Sequence, residues 1–571
     1  MEWLVKRALS IRSATSPRFG PRGEVYYLSD VTGQMQLWVN RGGVHDVVLP
    51  WDGRVGDYRV APDGALALAA DQNGDEKWRI YIAVGNDVVP VSTEGVNSLG
   101  AFSPDGRRLA FTSTRDDPQN FHLYIYDRES GETKLALQLA GINVVEEWNE
   151  AGIFITHYET NFDSTILWYK DGEVRELTKH EGEALNYSPR LVGERLYFLT
   201  NMAWEYVGVA AMNLSTGEWK YVVQLDRDVE HFDVDGGYMA FTLNEGGASG
   251  LYLMHIPSAL THRAAIPTGV ITALQYRGGK ALFSLSSINK GHEVYLYQGA
   301  VRQITSSPKY GTPLDAIPEP RIVQYQSHDG LKIYANIYNP PGEARGVVVY
   351  LHGGPESQDR PEFKPLVAAL LLAGYVVAAP NYRGSTGFGK TFVHLDDVEK
   401  RWDAIKDVEA FAKWLQSEGI AKEKPCVLGG SYGGYLTLMA LATAPDLWAC
   451  GVEMVGIFNL VTFLEKTAPW RRKYREAEYG SLEKHRDLLL QLSPITHAEK
   501  IKAPLMVIHG ANDIRVPVYE AEQLVQRLRE LGREVKLVIL PDEGHGIAKV
   551  ENRVRIYTEV IRFIGENLRR G

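Results

Sequence analysis

The sequence predicts two domains, an all-β seven-bladed propeller followed by an α/β-hydrolase domain with a mostly parallel, doubly wound sheet. Three observations carry this. A β-rich unit repeats with a period near 42 residues through the first half of the chain. After a proline-rich stretch, strands begin to alternate with helices, the pattern of a parallel sheet. Within that second part, a short apolar strand runs through Gly429-Gly430-Ser431-Tyr432-Gly433-Gly434 into an apolar helix.

In chain order, residues 1–12 form an N-terminal segment in which Met1–Leu9 reads as a short helix. Residues 13–304 are the repeat region. Each unit has a strand, a glycine turn and a second strand; the turn glycines are Gly23, Gly64, Gly106, Gly152, Gly193, Gly236 and Gly279, spaced by 41, 42, 46, 41, 43 and 43 residues. The clearest copies are Ala61-Pro62-Asp63-Gly64 and Ser103-Pro104-Asp105-Gly106, and aromatic-rich strands such as Leu123-Tyr124-Ile125-Tyr126 follow most of them. Units of this length, with about four strands each, bury their apolar faces only against neighbours, as propeller blades do. Seven turns predict seven blades.

Residues 305–320 form a linker carrying Pro308, Pro313, Pro318 and Pro320, and residues 321–571 are the second domain. Ile322–Tyr325 and Leu331–Tyr338 read as a hairpin, Gly346–Leu351 as a buried strand, and the apolar run Leu366–Ala379 as a helix end and a strand divided at Gly374. Asp403–Glu418 has the apolar stripe of a helix at Ile405, Val408, Phe411, Ala412 and Leu415. Ala449–Gly456, Leu505–Ile508 and Val535–Ile539 are further strands, and Val554–Leu568 a terminal helix.

Strand, G-x-S-x-G and helix make a nucleophile elbow centred on Ser431. The turn leaves no room for side chains at Gly429 and Gly433, and it pushes the serine Oγ out of the sheet. In this fold the acid follows a later strand and the histidine follows the last one. Asp513, in Asn512-Asp513-Ile514-Arg515-Val516-Pro517, and His545, in Asp542-Glu543-Gly544-His545-Gly546, occupy those places. His545 would take the Ser431 proton, with Asp513 fixing its tautomer. Asp542 and Glu543 are too near His545 in sequence to serve as its acid; His352 and His509 read as buried structural groups. The Tyr432 backbone N–H, at the helix start, is one expected oxyanion donor, and Gly354 in His352-Gly353-Gly354-Pro355 the preferred second.

Composition narrows the function classes. A net charge of −10 with 23% charged residues leaves no basic surface for nucleic acid. The N-terminus has no secretory apolar core, and the longest apolar run is too short for a membrane span, so the chain reads as cytoplasmic. Two cysteines cannot build a disulfide framework. Cys426 and Cys450 fall on strands expected to be neighbours; buried free thiols are the expectation, with a pair conceivable. Neither metal-ligand spacing nor a phosphate loop is present, so no metal or cofactor is expected. Oligomeric state is not readable, and a homo-oligomer stays open.

The propeller together with HGGP at 352–355, NYRGSTGFG at 381–389, GGSYGGY at 429–435, NDIRVP at 512–517 and DEGHG at 542–546 resembles the prolyl oligopeptidase family of serine peptidases, and within it the acylaminoacyl peptidases, archaeal ones especially. The resemblance covers essentially the whole chain; its catalytic motifs are far more specific than its repeats. It implies hydrolysis of short peptides under a propeller cover, release of N-acylated residues, a substrate-carbonyl contact for Arg515 and an N-terminal segment packed on the hydrolase domain. An apolar specificity pocket would then draw on Ile457 and Phe458 in an insertion that also holds Leu460, Phe463 and Trp470, although these could equally be core. Dipeptidyl peptidases, which hold a free amine with paired propeller glutamates, are the alternative; the adjacent Glu146 and Glu147 read more simply as a solvated blade edge. A carboxylesterase and a catalytically silent binding propeller are further alternatives, the intact triad speaking against the last.

Overall fold

The computed structural model describes residues 2–85 and 87–569. Among them, seven four-stranded antiparallel sheets follow one another in sequence, each built from four consecutive strands. The turn glycine of every unit has a positive φ, from 60° at Gly236 to 139° at Gly152. At Gly64 an added Cβ would meet nothing, so backbone conformation selects glycine there, not space. First strands of neighbouring blades pack on one another from blade 2 to blade 7, the strand Ala14–Phe19 of blade 1 packs on blade 7, and the Tyr58 hydroxyl of blade 2 donates to the Ser16 carbonyl of blade 1. The ring therefore closes by packing, without a strand exchanged between its ends. A register shift recurs between the first two strands of every blade. Such bulges increase local twist, which suits strands crowded around an axis.

The second domain has an eight-stranded sheet. Its strands are β1 Arg321–Gln326, β2 Lys332–Tyr338, β3 Val347–Leu351, β4 Val376–Pro380, β5 Cys426–Gly430, β6 Cys450–Met454, β7 Leu505–Gly510 and β8 Val535–Leu540. They lie in the order β1-β2-β4-β3-β5-β6-β7-β8, parallel from β4 to β8 and antiparallel at the β1-β2-β4 edge. The helices used below are α1 Glu2–Leu9, α2 Pro365–Leu372, α3 Arg401–Ser417, α4 Tyr432–Thr443, α5 Pro469–Tyr479, α6 Tyr519–Glu530 and α7 Val550–Leu568. Strands β3 and β5 are buried on both faces, which is why they read as unbroken apolar runs. Expected helix boundaries move by a few residues: α3 starts at Arg401 and α7 at Val550.

One expectation is overturned. Cys426 and Cys450 form a disulfide, not two free thiols. They are direct partners in the parallel pairing of β5 and β6, with Cα atoms 4.7 Å apart, inside the range a disulfide requires. Sequence placed them on adjacent strands but could not give the register.

Helix α1 buries Val5, Ala8 and Leu9 in the same core as α2 and α7, and the linker adds Leu314 and Ile317 to it. Arg553 on α7 donates to the Leu9 and Ile11 carbonyls. The two domains also meet face to face. Arg360 pairs with Glu230 of blade 6 and donates to the Gly247 carbonyl. Asn161 donates to Glu356 at 2.6 Å, and Thr391 donates to Glu205 through its N–H and hydroxyl.

Candidate active site

Strand β5 delivers Ser431 to the start of α4 with φ 56° and ψ −121°, a strained conformation for a residue with a side chain. Close packing of backbones enforces it. A Cβ on Gly429 would lie 2.2 Å from the Gly433 carbonyl oxygen, and one on Gly433 would lie 2.1 Å from that of Leu351. The Ser431 N–H donates to the Met454 carbonyl at 2.9 Å, tying the turn to β6. Tyr432 is the first residue of α4, so its N–H has no intrahelical acceptor.

Asp513 lies beyond β7 and His545 beyond β8, at the same end of the sheet as Ser431. His545 Nδ1 and Asp513 Oδ2 are 2.7 Å apart. Asp513 Oδ1 accepts the N–H groups of Arg515 and Val516 at 2.9 and 3.0 Å. Burial works against an Asp513 charge, but His545 and His509 together hold its carboxyl far below the usual range. His509 is buried, its Nε2 on the Val516 carbonyl at 2.8 Å and 3.5 Å from Asp513, which bears out its reading as a structural partner. Ser431 Oγ has no hydrogen-bond partner among the described residues. His545 and Asp513 are thus joined by a hydrogen bond, whereas none joins Ser431 to His545.

The His352–Pro355 loop lies over the elbow: a Cβ on Gly353 would be 3.3 Å from Ser431 Cβ. His352 is buried, stacked on Tyr382 at 4.3 Å, and burial lowers its pKa to about 4. It therefore serves as a neutral brace. Gly354 has φ 122°, and its carbonyl receives a long 3.5 Å contact from Arg475, which also pairs with Glu356 and Glu478. Behind the elbow, the Tyr432 hydroxyl donates to Asp396 in a buried cluster with Arg401 and Glu478.

The remaining expected site residues fall differently. Ile457 and Phe458 are 1% and 0% exposed in the central core, and the Phe458 N–H is held by Glu520 of α6. They present no surface, because Ile457, Phe458, Leu460 and Phe463 are packed into the central core, while Trp470 meets Phe121 of the propeller. Arg515 is engaged: its Nε donates to Glu76 Oε2 of blade 2 at 2.6 Å. Glu146 and Glu147 are not at a solvated edge. They lie on the inner strand of blade 4 and accept hydrogen bonds from Thr156 and from the Leu191 N–H, because that strand packs against its neighbour blade. Sequence reasoning also missed a run of propeller contacts to the catalytic loops. Gly74 touches Gly544 backbone to backbone, and Asn512 donates to the Asn73 carbonyl. The only sequence signal for this loop was its place after a clear repeat copy.

Residues 361–571 match the profile described as "Prolyl oligopeptidase family". That stretch is the part of the chain similar to the family. Similar proteins include "Dipeptidyl peptidase family member 6" of Caenorhabditis elegans, 35% identical over 257 residues, which are 44% of this chain and 35% of that protein. "Dipeptidyl aminopeptidase BIII" of Pseudoxanthomonas mexicana is 37% identical over 36% of this chain and 31% of its own. "Acylamino-acid-releasing enzyme 1" of Oryza sativa subsp. japonica is 31% identical over 36% and 28%. The chain thus spans about a third of the length of the curated relatives it matches. Among solved structures, uncomplexed Pyrococcus horikoshii acylaminoacyl peptidase superposes with a TM-score of 0.76 at 22% identity, covering 99% of this chain and 97% of that one. A puromycin hydrolase gives 0.85 at 20%, covering 98% and 96%. At such identity the likeness is one of fold, and it extends to both domains.

Proposed function

We propose that this chain is a serine peptidase that hydrolyses short peptides through an acyl-enzyme on Ser431. The observation that carries the reading is the strained Ser431 elbow beside an assembled Asp513–His545 pair. In the proposed step His545 removes the Ser431 proton as Oγ attacks the scissile carbonyl. The backbone N–H groups of Tyr432 and Gly354 receive the developing oxyanion, and His545 then protonates the leaving amine. Water repeats the sequence on the acyl-enzyme. Arg515 keeps its Nη groups for a substrate carbonyl while Nε stays on Glu76.

For the end of the substrate that is read, release of N-acylated residues is our first reading. It is supported by the HGGP and NYRGS motifs and by the acylamino-acid-releasing enzymes among the relatives. A second reading, removal of dipeptides from a free amine, is supported by the dipeptidyl peptidases among the relatives and by one structural observation. A cavity of about 110 Å³ between the domains is lined by Glu183, Glu205, Asp228 and Glu356, and Glu356 lies two residues after Gly354. Lys390 and His394 share the wall, and Glu356 pairs with Arg475, yet the surplus of carboxylates suits a free ammonium better than a blocked amide.

The experiment is to compare acetyl-amino-acid anilides, free-amine dipeptide anilides and short acyl esters, alongside fluorophosphonate labelling. Labelling should occur at Ser431 and vanish in Ser431→Ala, whose residual rate should be only ~10³–10⁴ over water. Labelling that survives the substitution refutes the mechanism. Preference for free-amine dipeptides, lost in Glu205→Gln or Glu356→Gln, decides for the second reading.

A further inference from the structure

The arginines around the candidate site have acids of their own. Arg475 has Glu356 and Glu478, Arg515 has Glu76, Arg401 has Asp396 and Glu478, and Arg383 has Asp407 and Asp329. Arg471 differs. It lies in the first turn of α5, the helix that joins the domains: Trp470 meets Phe121 of the propeller edge-on at 5.5 Å, and Tyr474 donates to the Tyr158 carbonyl at 2.6 Å. The start of α5 is also tied to the acid loop, because Ala468 N–H donates to the Ile514 carbonyl and Thr467 Oγ1 to that of Arg515.

Among the described residues, the Arg471 guanidinium has neither an ion-pair nor a hydrogen-bond partner, and its Nε is buried without an acceptor. The neighbouring Trp470 Nε1 is a second buried donor without one. The guanidinium carbon stands over the Trp470 ring, 5.4 Å from its centroid, so the two orphan donors belong to neighbouring side chains in contact. Burial, followed by the nearby charges of Arg475 and Arg515, lowers the Arg471 pKa to about 10, with Glu76 and Asp513 opposing more weakly. Buried donors without acceptors cost free energy, and so does a cation crowded by other cations. What would relieve both is a group that only accepts and carries negative charge.

We propose that Arg471 and the Trp470 indole N–H form a carboxylate-binding subsite for the substrate. A carboxylate can take two parallel hydrogen bonds from a guanidinium, with the indole N–H as a third donor. A short peptide offers a carboxylate at its C-terminus or on an Asp or Glu side chain. The proposal rests on the peptide-substrate reading above and adds that the substrate's anion is read at the start of α5.

The test uses the full chain with Ser431→Ala, so that peptides bind without turnover. Calorimetry would compare one short peptide as free acid, as C-terminal amide, and as amide with one internal Asp. The free acid, the Asp-bearing amide or both should bind roughly 10- to 100-fold more tightly than the plain amide. Arg471→Gln in the same background should abolish that difference, and Arg471→Lys should keep part of it. Fluorophosphonate labelling of the Arg471 variants with Ser431 restored confirms that they fold. A difference confined to the Asp-bearing peptide places the carboxylate on a side chain and still supports the subsite. Equal affinities throughout, or a preference that survives Arg471→Gln, would overturn it. Hydrolysis of the amidated peptide by the wild-type protein separates this failure from failure of the peptidase reading.

Discussion

Arg515 Nε lies 2.6 Å from Glu76 Oε2, so the loop carrying Asp513 is bound by an ion pair to the second blade of the propeller. The pair uses only Nε, leaving the rest of the fork for a ligand. Arg515→Ala should therefore lower kcat/KM by roughly 10- to 100-fold, mostly through KM, the usual scale for a charged hydrogen bond to substrate. Glu76→Gln should cost less, and the double variant should match Arg515→Ala alone, because Glu76 acts through Arg515. The Arg515 side chain is 43% exposed, so neither change should alter stability much. Additive effects in the cycle would show that the pair does not orient the guanidinium.

Glu453 on β6 supports a pH prediction. It is 1% exposed; one oxygen accepts the Gly456 N–H, and the other is buried without a partner. Burial raises its pKa to about 7, with His509 opposing. The native state thus holds this proton more tightly than the unfolded chain, whose carboxyl titrates near ~4.3. The stabilisation is complete below that value and is lost as pH rises through about 7. Thermal unfolding should show stability falling from about pH 5 to about pH 8, and Glu453→Gln should remove up to roughly 3 kcal/mol of that fall. Parallel pH profiles for the two proteins would mean that Glu453 is ionised when folded.

The Cys426–Cys450 bridge closes a loop of sequence separation 24. Chain-entropy reasoning gives such a cross-link roughly 3 kcal/mol. Denatured, unreduced protein should yield no alkylatable thiol, and reductant or a Cys426→Ser/Cys450→Ser double variant should lower the unfolding midpoint. Two reactive thiols in unreduced protein would contradict the bridge.

The propeller touches the loops that carry Asp513 and His545, so a substrate should reach Ser431 through a covered cavity, where excluded water strengthens oxyanion hydrogen bonds. Rates for peptides of increasing length with one cleavable end should fall sharply beyond roughly a few tens of residues, because a longer chain cannot enter a covered cavity. Equal rates for short peptides and denatured casein would rule out a sieve.

The sequence alone determined what repeats and what is local. Seven glycine turns at a steady spacing meant seven blades, since a left-handed turn selects glycine without any tertiary contact. The places of Ser431, Asp513 and His545 were legible because each sits at the end of a strand, where G-x-S-x-G or a strand-final loop announces itself. Tertiary structure decided everything that depends on which surfaces meet. It joined Cys426 to Cys450 through strand register, turned Ile457 and Phe458 into core, placed Glu146 and Glu147 on an inner strand, and brought Glu76 to Arg515 across 439 positions. No local pattern encodes such partners: side-chain periodicity says which face is buried, not what buries it, and an ion pair between domains leaves no spacing to read.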